Sequence, residues 1–157
     1  MNKSESSKVT GISDITGKVV RVRHANEADM VFIEEKMKAH RLDTENLHHN
    51  EFVIATENSE IVGFGRLKKT GEMYEIGCVI VIEKKGGGGT GSLIIKHLID
   101  YSPLKKVYVV TDQIDYYKNL GFVEVQEEIN ELVSSLGEAC KTTRGKAIIM
   151  VYEKIND

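Results

Sequence analysis

Cysteine is scarce in this chain: Cys78 and Cys140 are the two among 157 residues. A pair cannot build a disulfide framework, and two reduced thiols in a cytosolic protein are the expected state. Long apolar runs are missing as well. Nothing approaches the ~20 consecutive apolar residues of a membrane span, and the polar stretch Met1 to Lys18 lacks the apolar core of a secretory signal. A soluble, cytoplasmic protein with no membrane partner is expected. Basic charge is not in excess: 21 Lys and Arg stand against 24 Asp and Glu, a net charge of −3, which argues against a nucleic-acid partner held by bulk charge. His40, His48 and His49 lack the i, i+4 spacing of a helical metal pair, so no metal site is expected.

What remains is an ordinary globular composition, 41% hydrophobic and 29% charged. A chain of this length buries roughly 70% of the surface its unfolded form exposes. Residues 1–17 are rich in Ser, Lys, Asp and Gly and read as a poorly ordered tail, and residues 18–157 as a single domain. Val19 to Arg23 reads as a strand. Asn26 with Asp29 three residues on reads as a capping box, and Met30, Ile33 and Met37 fall on one face of a helix running to about His40. Glu51 to Thr56, Ile61 to Lys69 and Met73 to Ile82 are β-rich and turn-separated, which predicts an antiparallel meander. The run Cys78 to Ile82 is apolar throughout, the pattern of a strand buried on both faces. A helix carries Leu93, Ile94, His97 and Leu98 and ends by Tyr101, ahead of the lone Pro103. Further on come a strand at Lys106 to Val110, a short helix at Asp112 to Leu120 stopped by Gly121, a strand at Phe122 to Val125, an amphipathic helix on Ile129, Leu132, Val133 and Leu136, and a last strand at Ala147 to Tyr152.

Between an apolar strand and an amphipathic helix stands Lys84-Lys85-Gly86-Gly87-Gly88-Gly89-Thr90-Gly91-Ser92. A glycine run can be a plain linker. Its place before a helix N-terminus, where free amides and the positive end of the dipole meet an anion, favours a phosphate or pyrophosphate ligand. A Walker loop would need Lys where Ser92 stands. Gly86, Gly88 and Gly91 match a dinucleotide-binding fingerprint with Asp112 downstream, and a dinucleotide-binding domain stays as an alternative. Against it, Glu83-Lys84-Lys85 separate strand from loop, 45 residues after Asp112 are too few for the remaining units, and a meander has no place in a parallel sheet.

The stretch Val79 to Leu98 resembles motif A of the GNAT superfamily of N-acetyltransferases, in which a strand leads through a glycine loop into a helix; Gly89-Thr90-Gly91 fits its G-x-G and Ser92-Leu93-Ile94-Ile95 its helix start. Asp115-Tyr116-Tyr117-Lys118-Asn119-Leu120-Gly121-Phe122 resembles the family's later F-Y-x-x-x-G-F element, and Ile61-Val62-Gly63-Phe64-Gly65 its preceding strand. The resemblance covers about Val19 to Val125. It implies an α/β fold, a mixed and mostly antiparallel twisted sheet with flanking helices, and direct transfer of an acetyl group from acetyl-CoA to the amine of a small molecule or amino acid, with looser similarity to N-acetylglutamate synthases. It places the pantetheine arm on the backbone of Val79, Ile80 and Val81, and the pyrophosphate on the amides from Gly86 through Gly87, Gly88, Gly89, Thr90 and Gly91 to Ser92. Many members dimerise through sheet edges. The family's Gln or Arg at the loop head falls on Gly86, where Lys84 or Lys85 would have to supply the charge. Weaker acetyl-CoA binding than usual follows, and a non-catalytic CoA-sensing module is the competing class.

Within that resemblance Glu75, on the strand into motif A, is the candidate base, with His24 a weaker one; a structural carboxylate and a surface His are the bland alternatives. Tyr117 matches the family tyrosine at the departing thiolate. A phenol near pKa ~10 protonates a thiolate near ~8.5 only uphill, so a hydrogen bond is its expected role. Tyr116 is expected in the core. Cys78 reads as an inert buried thiol, with parity opposite to Glu75 on a regular strand, and His97 as half-buried. Lys84, Lys85, Lys96, Lys105 and Lys118 suit the nucleotide end. Glu34 to Asn50, Asn130 to Ser135 and Cys140 to Gly145 are expected around the acceptor, where Arg66 or Arg144 could face a carboxylate.

Overall fold

The computed structural model describes residues 11–13, 19–82, 89–126, 129, 132 and 146–155. Its contacts divide the chain into two compact units, Met1–Arg66 with Cys78–Leu98, and Leu67–Gly77 with Ile99–Asp157. The first holds β1 (Gly11–Ser13), β2 (Val19–His24), α1 (Met30–Ala39), β3 (Phe52–Glu57), most of β4 (Glu60–Thr70), the end of β5 (Met73–Val81) and most of α2 (Thr90–Tyr101). The second holds the rest of β4 and β5, then β6 (Lys106–Thr111), α3 (Ile114–Asn119), β7 (Val123–Glu124) and β8 (Ile148–Glu153). Strand order is β1-β2-β3-β4-β5-β6-β8-β7. β1–β2, β2–β3, β3–β4, β6–β8 and β7–β8 are antiparallel, and β5–β6 is parallel. β1 lies inside the span expected to be a tail and pairs Gly11 to Ser13 with Arg21 to Val19.

In the first unit, local chemistry sets the element boundaries. Asn26 Oδ1 accepts from the Asp29 amide at 3.1 Å, and Asp29 Oδ2 accepts from the Asn26 amide at 2.8 Å. This is the expected capping box, and it heads a single 3-10 turn, Glu27–Asp29, that runs into α1. Between β3 and β4 the chain reverses through Asn58 (φ +55°) and Ser59 (φ +66°). Two successive left-handed residues match the twist of the flanking strands. Ile33 and Met37 of α1 are fully buried against Phe52, Ile54 and Phe64. Phe64 meets Phe32 and Phe52 edge-on, at 6.5 and 6.2 Å between ring centroids.

The second unit is built on β6, which pairs from Lys106↔Glu153 to Thr111↔Ile148 with β8. Tyr108, Ile129 and Leu132 form its buried cluster, with Met73, Val125, Ile149 and Val151 packed against it. The rest of the expected amphipathic helix lies outside the described residues, as do Asn130, the segment 133–145 with Cys140 and Arg144, and all of the expected tail but β1. Gly121 ends α3 as expected: its φ is +107°, and a Cβ there would lie 2.9 Å from the Tyr152 ring.

The stretch Cys78 to Ile82 is not buried on both faces. Ile80 is buried, Cys78, Val79 and Ile82 are half-buried, and Val81 is exposed. The cause lies in the backbone. The parallel register with β6 covers Tyr74, Glu75 and Ile76, and two residues later Cys78 takes a left-handed φ of +55°. A residue in that region inside a strand marks a bulge, so strict alternation between Glu75 and Cys78 does not hold either.

Candidate active site

The end of β5 leads through residues 83–88, which lie outside the described residues, to Gly89. Lys84, Lys85, Gly86, Gly87 and Gly88 belong to that segment. Gly89 has φ +92°, a conformation that glycine reaches at little cost. Its carbonyl accepts the first helical hydrogen bond, from the Leu93 amide at 2.9 Å. Thr90, Gly91 and Ser92 form the first turn of α2, with Thr90 buried. Their amides precede any i−4 partner inside the helix, so this end carries the positive pole of the helix.

Two further glycines seat α2. A Cβ on Gly65 would lie 2.7 Å from Ile94 Cγ2 and 3.0 Å from Leu98 Cδ1, and one on Gly63 would lie 3.1 Å from Ile94 Cδ1 and 3.0 Å from the Ile80 carbonyl oxygen. Ile94, Ile95 and Leu98 are fully buried. Each contributes about 1.5–3 kcal/mol by burial. The β-rich pattern of Ile61 to Lys69 located this strand; the signal left unused is glycine recurring at period two opposite an apolar helix face. Just past the end of β5, Ile82 donates its amide to the Val62 carbonyl at 2.8 Å, which ties this end of the strand to β4.

Glu75 and Tyr117 belong to the second unit. Glu75 is buried and accepts a hydrogen bond from the Thr70 hydroxyl at 3.2 Å. Tyr117 is buried, its ring edge-on to Phe122 (5.2 Å) and Tyr116 (5.3 Å). Burial pushes the Tyr117 phenol far above the ordinary tyrosine range, and the neighbouring Tyr116 adds to the shift. Tyr116 itself is 37% exposed and not core. Adjacent residues on a helix point about 100° apart, so a six-residue helix that buries one turns the other outward.

His24 ends β2 and meets His97 of α2 edge-on, 6.0 Å between centroids. Burial lowers its pKa below the ordinary histidine value. His97 is half-buried, as expected. Lys96, Lys105 and Lys118 are exposed. Arg66 is buried: its Nε donates to Glu51 Oε1 at 3.0 Å, with Nη2 2.8 Å from the same oxygen. Nothing in the sequence spacing announced that pair, which joins Glu51, the end of a 3-10 turn just before β3, to a residue of β4 fifteen positions on. Among the described residues no group of three or more His, Cys, Asp and Glu is placed to hold a metal ion, and no helix is long and apolar enough to cross a membrane.

The antiparallel pairings of β2, β3 and β4 exclude the parallel sheet that a dinucleotide-binding fingerprint requires. A family model described as an acetyltransferase (GNAT) domain matches residues 48–124. Comparison with curated protein sequences gives no match. Among solved structures, N-acetylglutamate synthase from Neisseria gonorrhoeae, complexed with coenzyme A and N-acetyl-glutamate, aligns with a TM-score of 0.68 at 20% identity, over 87% of this chain and 35% of that one. Rv2747 from Mycobacterium tuberculosis, in complex with CoA and NLQ, gives 0.66 at 20% identity, over 85% and 99%. Escherichia coli ElaA gives 0.60 at 19% identity, over 87% and 99%. The chain thus spans about a third of the length of the gonococcal synthase, and at such identities the likeness is one of fold. The matched residues run from just before β3 to the end of β7 and take in the glycine loop, the seat of α2 and the Tyr117 helix; over residues 48–124 the chain matches a GNAT acetyltransferase domain.

Proposed function

We propose that this chain transfers an acetyl group directly from acetyl-CoA to the amine of a small molecule or amino acid, in the cytoplasm, as a monomer or as a homodimer through sheet edges. The observation that carries the reading is the seat of α2. A glycine run ends at a left-handed Gly89, and Gly63 and Gly65 let the helix lie close on β4, all within the family-matched span. In this reading the amides of Gly89, Thr90, Gly91 and Ser92 hold the pyrophosphate, and the backbone of Val79, Ile80 and Val81 holds the pantetheine arm. The sequence adds Lys84, Lys85, Gly86, Gly87 and Gly88 to the phosphate loop. The solved relatives with coenzyme A in their complexes support the choice of co-substrate.

The chemistry needs a neutral amine, an electrophilic thioester and a stabilised leaving group. An α-amine, with pKa ~7.7–8, is partly neutral at pH 7, whereas a lysine amine near ~10.4 is not. The amine nitrogen attacks the thioester carbonyl carbon and the new C–N bond forms. The C–S bond then breaks, CoA leaves as thiolate and takes a proton from solvent, and the amine's surplus proton passes to a base. We assign that base to Glu75, whose carboxylate already accepts from Thr70. Tyr117 donates a hydrogen bond to the sulfur as charge builds there. Its raised pKa makes full proton transfer to a thiolate unfavourable and keeps the hydroxyl a donor.

Release of CoA thiol in the presence of an amine panel tests the proposal. Tyr117→Phe keeps the ring packing and removes the donor. It should lower kcat by about ten- to a hundredfold, the worth of a hydrogen bond to a charged group, with acetyl-CoA affinity within about twofold. Glu75→Gln should lower kcat most for amines of high pKa. If neither variant changes transfer, the roles assigned here are wrong; acetyl-CoA binding with no transfer to any amine favours a sensing module.

A further inference from the structure

We infer that Arg66 holds a carboxylate of the acceptor, so that the substrates are amines that also carry a carboxylate; the inference rests on the acetyl-transfer reading above. Arg66 lies on β4 opposite Phe52 of β3 and is 9% exposed. A guanidinium buried to that degree needs partners. Nε and Nη2 both approach one oxygen, Glu51 Oε1, at 3.0 and 2.8 Å. Cζ stands 5.7 Å from the centroid of the Phe52 ring. Glu51 therefore takes the side-on edge of the guanidinium. Among the described residues no buried side-chain nitrogen or oxygen lacks a partner. Nη1, with no hydrogen bond to the described residues, therefore reaches solvent. The end-on edge, Nη1 with the outer N–H of Nη2, has the fork geometry that receives a carboxylate through two parallel bonds. Glu51 and Phe52 hold that edge in place before anything binds. The Glu51 side chain is 24% exposed, so water screens part of its charge and leaves some of the guanidinium field for a second anion.

The position of Arg66 in the sheet supplies the link to the reaction. Ile82 donates to the Val62 carbonyl, and a Cβ on Gly65 would lie 3.4 Å from Val79. Continuing that antiparallel register sets Arg66 beside Cys78, one strand spacing (~4.8 Å) away. Cys78 is the left-handed residue at the head of Val79 to Val81, the stretch proposed for the pantetheine arm. A carboxylate on Arg66 thus lies within the span of a small molecule from the acyl end of that arm.

The test uses amines matched except for the carboxylate: α-amino acids, their α-carboxamides and the corresponding decarboxylated amines, with CoA release as the readout. The wild type should prefer the carboxylate member by on the order of ten- to a hundredfold in kcat/KM. In Arg66→Lys, which keeps the charge and loses the fork, that ratio should fall toward one through a higher KM, while the acetyl-CoA Kd by calorimetry holds. The double variant Glu51→Gln/Arg66→Gln leaves no buried charge unpaired and should lose the ratio as well; thermal midpoints show that both variants fold. Transfer without a carboxylate preference, a preference that survives both variants, or acetyl-CoA binding with no acetylation of any carboxylate-bearing amine overturns the inference. Failure of the wild type to bind acetyl-CoA overturns the underlying reading first, and is seen separately in the calorimetry.

Discussion

Burial holds the Tyr117 hydroxyl protonated well beyond the pH at which an exposed tyrosine ionises, and this fixes the shape of the proposed enzyme's pH profile. The rate rises as the acceptor amine loses its proton, near pH ~8 for an α-amine. Because the raised pKa extends the range in which Tyr117 can donate, no falling limb is expected up to pH ~10. A bell that turns down there would show the phenol titrating normally. At the hairpin, Ser59 sits at φ +66°, a conformation that costs a non-glycine residue roughly 1 kcal/mol. Ser59→Gly should raise stability by about 0.5–1 kcal/mol, read as a higher denaturation midpoint. Single residues were unevenly legible. The Asn26–Asp29 box follows from two side chains three apart. The exposure of Tyr116 and Val81 did not, because it depends on which way a six-residue helix faces and on a backbone kink at Cys78 that composition does not reveal.

Helix α2 is the element on which the loop depends. Gly65→Ala would force a Cβ to 2.7 Å from Ile94; overpacking of that kind costs about 1–3 kcal/mol. A lower thermal midpoint and weaker acetyl-CoA binding are expected together. Gly77→Ala meets open space and serves as the control. At the other end of the first unit, Asn26→Ala should cost about 1 kcal/mol through the lost cap. Burial pushes the Asp29 carboxyl up, but the hydrogen bond and charge of Arg23 and the Asn26 amide outweigh it, and the net shift is downward from 3.8. Its contribution is therefore complete above its unfolded pKa and lost as pH falls through the lower folded value. Denaturant midpoints measured below pH ~4 should fall less in Asp29→Asn than in the wild type. Elements were largely legible, since period, caps and turn residues are local. The position of β8 between β6 and β7 was not, because it pairs residues as distant in sequence as Lys106 with Glu153 and Val123 with Val151, through contacts that no local pattern encodes.

At the scale of the molecule, the glycine loop and α2 start belong to one unit and Glu75 and Tyr117 to the other, while β4 and β5 run through both. The resemblance that named the family spans this partition: motif A lies in the first unit and the Tyr117 element in the second. Arg66 shows the limit of a linear reading: the sequence offered it only beside Arg144 as an arginine that could face a carboxylate, and the way Glu51 and Phe52 hold its guanidinium is visible in the fold alone. The claim on which the rest depends is that this chain binds acetyl-CoA. Isothermal titration of the purified protein with acetyl-CoA, with NADH as the control ligand, tests it most directly. Micromolar binding of acetyl-CoA and none of NADH is the expected result. No acetyl-CoA binding, or binding of NADH in its place, would contradict the account.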